Sequence, residues 1–131
     1  MTHPHAADTL SNGLPLPPIP QRLREMLKDY PQHLQQLQED LNYAIDGSRP
    51  ARGTTNHVFE EMIWALEGCL DAFIREAKDE LEAAQASGNA EAVVTAKEKV
   101  SLMRQARSIN NGMRGLHVLR EYLEAHQEAL Q

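Results

Sequence analysis

Apolar side chains return at Val58, Met62, Ala65, Leu66, Cys69, Leu70, Phe73, Ala77, Leu81 and Ala84, three or four positions apart, with no proline between them. That spacing lays them along one stripe of an α-helix. The run is bounded by Thr55 or Asn56 as cap, with Glu60 and Glu61 near the positive end of the helix dipole, and by the Ser87-Gly88 pair as terminator. About 31 residues at ~1.5 Å each make a rod of roughly 46 Å. Any fold of this chain must be arranged around that rod. A three-residue connection follows it, and Asn89 caps a further helix, so the two form an antiparallel hairpin. No alternating apolar run bounded by a hairpin turn competes with this reading.

The helix that begins at Asn89 carries Val93, Ala96, Val100, Met103, Ala106, Ile109, Met113, Leu116, Leu119, Leu123 and Leu130. Three successive steps of three lie between Val100 and Ile109. Each falls about 60° short of a full turn, so the apolar stripe rotates by about 180° across them. Either the two halves face different neighbours or the helix breaks. Asn110-Asn111-Gly112 is the place for a break, because Asn and Gly tolerate a left-handed cap. An unbroken helix gives a three-helix arrangement and a broken one gives four.

Upstream, Leu23, Leu27, Tyr30, Leu34, Leu37, Leu41 and Ala44 make a heptad seam in a helical region from about Pro20 to Ile45. Pro31 removes a backbone donor inside that run and predicts a kink or restart, with Asp29 as the cap of the second piece. Residues 46–54 read as a loop that carries Arg49 and Arg52. Before Pro20, the segment Leu14-Pro-Leu-Pro-Pro-Ile-Pro20 favours polyproline II. It is either a docking peptide for an aromatic groove or an arm that lays Leu16 and Ile19 on its own helices. The expected architecture is all-α: an antiparallel three- or four-helix bundle over residues 20–131, built on the long hairpin, with a flexible Pro-rich arm over residues 1–19.

The charge distribution is uneven. The chain of 131 residues has 13 basic and 19 acidic residues, a net charge of -6, which disfavours a dedicated binder of nucleic acid or anionic membrane. Residues 56–88 hold eight carboxylates against Arg75 and Lys78, whereas residues 97–120 hold Lys97, Lys99, Arg104, Arg107, Arg114 and Arg120 against Glu98 alone. On a helical projection Lys97, Arg104, Arg107 and Arg114 share about 100° of arc. This basic stripe is either a face for nucleic acid or an acidic partner, or the complement of the acidic helix beside it in the hairpin.

Chemistry-bearing residues do not converge in the sequence. His57 is spaced to share a face with Glu60 or Glu61, and His117 with Glu121, but no Glu-x-x-His pair or His-Glu-x-x-His motif is present. Neither metal nor cofactor is expected. Cys69, the single cysteine, lies on the apolar stripe and excludes an intramolecular disulfide. Arg120 and His126, separated by five residues, resemble the Arg-x4–6-His signature of the HEPN ribonucleases. Glu121 stands where that family carries a polar Asn or Asp, and no catalytic role is carried over. Trp64 falls off the main stripe among Glu60, Glu61 and Glu67, which suits an interface anchor.

No apolar run approaches the roughly 18 residues needed to span a bilayer, and the first twenty residues lack the pattern of a secretory signal. A cytoplasmic location is therefore expected. The functional expectation is a non-enzymatic helical interaction module, an adaptor, small chaperone or regulator. It would act as a homodimer or with another helical protein, with Leu37, Leu41, Met113 and Leu116 at the interface alongside Trp64. The alternatives are a nucleic-acid-associated regulator that uses the basic stripe with Arg49 and Arg52, and a small helical enzyme or metalloprotein.

Overall fold

The computed structural model describes Leu10, residues 13–48 and residues 55–126. Among these the chain is all-helical. Five α-helices follow one another: α1 (Gln21–Met26), α2 (Pro31–Ser48), α3 (Thr55–Ser87), α4 (Ala90–Arg107) and α5 (His117–Ala125), with a single 3-10 turn at Gly112–Arg114. No helix among the described residues is long and apolar enough to cross a membrane.

The long rod is α3, whose 33 residues make about 50 Å of helix. Thr55 and Asn56 already lie within it. Gly88 ends it with φ at +74°, a left-handed backbone that an L side chain resists. The Asn89 side chain then accepts from the Ala92 amide at 3.1 Å and starts α4. Lys99 meets Glu80, and Arg107 meets Asp71 and Glu67. These pairs join positions roughly equidistant from the turn, so α3 and α4 run antiparallel. Helix α2 crosses the first half of α3 in the opposite direction, and the His33 ring lies 4.1 Å from the Phe73 ring.

The heptad run divides before the proline rather than at it. Helix α1 stops at Met26, and Pro31 is the first residue of α2, where its missing donor costs nothing. The Tyr30 carbonyl accepts from the His33 and Leu34 amides, so the cap position belongs to Tyr30, one residue past Asp29. Helix α2 also runs on to Ser48 instead of ending at Ile45. Arg49 and Arg52 lie outside the described residues.

The rotating stripe is resolved by a break. Val100, Met103 and Ala106 are buried on one face of α4; the helix ends at Arg107, and Ile109, the last of the three-residue steps, is 71% exposed. The break is not a left-handed cap. Ser108 is extended, at φ -72° and ψ 134°, and among the described residues only Gly13 and Gly88 have positive φ. Gly112 serves packing instead: a Cβ built there would overlap the backbone of Ala106. Arg22 Nε donates to Asn111 Oδ1 at 2.9 Å and pins α1 to this corner.

The described part of the N-terminal arm lies against the helices. Leu10, Pro17, Ile19 and Pro20 are buried, and Leu14 and Leu16 are partly buried. Tyr122 Oη donates to the Pro15 carbonyl at 2.6 Å, Gln38 Nε2 to the Pro17 carbonyl at 2.9 Å, and Arg24 Nε to the Ile19 carbonyl at 3.1 Å. Pro20 has φ -52° and ψ 138°, polyproline II geometry. This segment has no internal hydrogen bonds of that helix type to satisfy its carbonyls, so side chains of α1, α2 and α5 do so. Over these residues the arm is a strap that lays Leu16 and Ile19 on its own helices, one of the two arrangements the Pro-rich segment offered.

Candidate protein-interaction surface

The residues expected at an interface separate cleanly by burial. Leu37 and Leu41 are fully buried, Met113 is 2% exposed, and Leu116 is partly buried, all within the core of the same chain. Within one chain the seam of α2 is covered by α3 and by the strap. Trp64 is different: it is 57% exposed, one turn from Glu60, Glu61 and Glu67. Tyr43 on α2 is also exposed.

The basic stripe divides in three. Arg107 turns inward, with Nε 3.0 Å from Asp71 Oδ1 and a terminal nitrogen 3.9 Å from Glu67, which is the complementary-flank role. Arg114 lies past the break, on the 3-10 turn. Lys97 and Arg104 remain together on α4. With Lys78 from α3 they rim a cleft of about 450 Å³, whose other lining residues are Leu81, Val100, Ser101, Gln105 and Ser108. Among the described residues no carboxylate lies within ion-pair distance of Lys78, Lys97 or Arg104, whereas Lys99 across the helix is held at 2.9 Å by Glu80. Lys78 was missed in the sequence because the net charge of α3 hides it. The register of the hairpin, which sets Lys78 opposite Ser101, was the signal that could have found it.

This cleft lies at the edge of a larger feature. From Lys78 to Thr95, across the end of α3, the turn and the start of α4, no residue is buried. The two helices go on past the point where α2 covers them. Val94 is 56% exposed, while Leu81, Ala84, Ala92 and Val93 are half-buried in the contact between the two helices.

The chemistry-bearing residues sit in packing environments. Burial, then the Asp40 carboxylate that accepts a hydrogen bond from the thiol, then Glu76, push the Cys69 thiol well above its usual range, which makes it a poor nucleophile. His33 is wedged between the Tyr30 and Phe73 rings, and its Nε2 is buried without a hydrogen-bond partner. Burial first and the Lys99 charge second hold it below its ordinary value, against the opposing pull of Glu76 and Glu80. His57 lies 3.9 Å from Glu61, and His117 is exposed at the start of α5. Arg120 is stacked 4.4 Å from the Phe59 ring centre and His126 lies 4.8 Å from the Tyr122 ring. The two residues of the Arg-x4–6-His spacing therefore pack on different aromatic rings. Among the described residues no three metal-ligating side chains converge. No protein-family model matches the chain, and no curated protein or solved structure shows significant similarity to it.

Proposed function

We propose that the chain is an antiparallel helical bundle that works as a non-enzymatic protein-interaction module, an adaptor or regulator, and that it docks another helical protein along the projecting part of the α3–α4 hairpin. The observation that supports this most is the run from Lys78 to Thr95, which is helical on both sides of the turn yet contains no buried residue. Helices of this length are marginal in water unless an apolar face is covered. Here the covering is limited to the contact between the two helices themselves. A partner helix laid against the projection would bury Leu81, Val93 and Val94 and complete a third layer of the kind α2 supplies to the first half of α3.

Photocrosslinking tests the reading. A benzophenone amino acid at Val94 on the projection is compared with one at Glu124 on α5 in living cells. Discrete adducts from Val94, with a protein whose crosslinked segment is helical, are expected, and none from Glu124. Equal labelling at both positions, or none at Val94, would overturn the proposal.

A further inference from the structure

The cleft on the open flank of the projection has a chemistry that selects among partners, and we infer that it takes an acidic amphipathic helix from another protein. This inference rests on the interaction-module reading and names the ligand of that site. Lys97, Ser101, Arg104 and Ser108 lie within about 60° of one another around α4, while Lys99 is about 160° away from Lys97. Tyr30, the cap of α2, and His33 within it gather on the Lys99 side: Lys99 Nζ is 5.3 Å from the centre of the Tyr30 ring, and its charge acts on His33. The flank with Lys78, Lys97 and Arg104 is thus the one α2 leaves open.

Its floor is apolar, from Leu81 and Val100, and its rim is cationic on both walls, Lys78 from α3 and Lys97 and Arg104 from α4. The row from Lys97 to Ser108 spans about 16 Å, or three turns of a helix lying alongside. A helix with an apolar stripe fits the floor by ordinary packing between helices, and carboxylates beside that stripe reach the two cationic walls. Hydroxyls of Ser101 and Ser108 and the Gln105 amide offer further hydrogen-bond partners at the rim. Among the described residues none of the three cations has a carboxylate within ion-pair distance, so binding an acidic partner breaks no existing pair.

The sign of the charge changes along the same flank. Toward the break in α4, Arg107 is already neutralised by Asp71 and Glu67, and this end repels further carboxylates. The acidic part of the partner is therefore confined to the Lys78 half. A nucleic acid satisfies the cations but leaves Leu81 and Val100 without an apolar counterpart.

The test uses the full chain and a fluorescent synthetic helix of about 20 residues with a leucine stripe flanked by glutamates. Lysine-flanked and stripe-free polyglutamate peptides and a DNA oligonucleotide serve as controls, and binding is read by anisotropy at two salt concentrations. Saturable, salt-sensitive binding of the glutamate helix is expected, with at least a tenfold loss in Lys97→Glu/Arg104→Glu and in Lys78→Glu. Because these cations carry no ion pair, the melting curves should stay unchanged; if charge reversal perturbs folding, Lys97→Gln/Arg104→Gln gives the same reading. Equal or tighter binding of polyglutamate or DNA, or full binding by the variants, would overturn the inference. Adducts at Val94 that persist in the double variant would overturn the acidic-helix ligand and leave the module intact. Loss of the Val94 adducts in the double variant alone is the expected result, whereas their absence in the native chain would overturn the module and this inference with it.

Discussion

Gly112 and His33 carry constraints that composition does not reveal. Gly112 has no unusual φ; it is needed because the chain after α4 folds back so closely that a Cβ would run into the Ala106 backbone. Backbone cannot rotate aside as a side-chain tip can, so Gly112→Ala should destabilise by about 2 kcal/mol or more. Gly115→Ala is the matched control, since its Cβ would meet only Pro20 Cβ at 3.9 Å. Urea denaturation of the two variants checks this; equal midpoints would refute the close approach. His33 makes a prediction about pH. Its folded-state affinity for a proton is lowered, chiefly by burial and then by Lys99. Below its ordinary value near 6.5 the unfolded chain binds the proton first, so stability falls as pH drops from there toward the folded-state value. His33→Phe, which also removes the orphaned Nε2, should flatten that part of the profile. A profile identical to that of the native chain would show that His33 does not control it.

The strap and the projecting hairpin differ in how much of the fold covers them. The strap is tied by Tyr122 Oη to the Pro15 carbonyl, and Tyr122 itself is pushed up to about 12 by burial and then by the Asp46 charge. Tyr122→Phe should cost about 1 kcal/mol. It should also reduce the loss of stability that the native chain shows as pH rises from about 10 toward 12, where the unfolded tyrosine ionises first. Amide exchange should place the projection lowest. Residues 78–95 should open at about 1–3 kcal/mol, while residues 62–77, covered by α2, should approach the global value. Uniform protection along α3 would contradict the exposed tip. The elements themselves were legible in sequence, because a period of three to four needs only a stripe of apolar residues, and Asn89 and Gly88 mark the turn by their own chemistry. The packing of Leu16 and Ile19 was one of two readings of the Pro-rich segment, but the bonds that tie the strap were not legible, since they run to main-chain carbonyls that every residue possesses. Nor was the division of the basic stripe, because a helical projection shows which cations share an arc and not which acids on the next helix face them.

At the scale of the whole molecule, the seams of α2 and the 3-10 turn are buried within one chain among the described residues, which bears on how many copies associate. The expectation of a homodimer rested on Leu37, Leu41, Met113 and Leu116 as unsatisfied surface. With the first three buried against α3, the strap and the 3-10 turn, and the fourth partly buried, the hydrophobic gain that an obligate interface requires has already been used in folding. Among the described residues, what remains outside is Trp64, Tyr43, Val94 and Ile109 with the half-buried residues of the hairpin tip, on a chain whose charge of -6 repels like copies. The purified chain should therefore run as a monomer by light scattering on a size-exclusion column, with no change of mass over a tenfold range of concentration. It should shift to a complex when the glutamate-flanked helix is added. A dimer that holds its mass on dilution would mean that the tip, with Leu81, Val93 and Val94, is covered by a second copy. Lys97→Glu/Arg104→Glu would then discriminate further: a mass unchanged by the double variant would place the contact on the apolar side of the projection, whereas dissociation would place the acidic α3 of one copy in the basic cleft of the other.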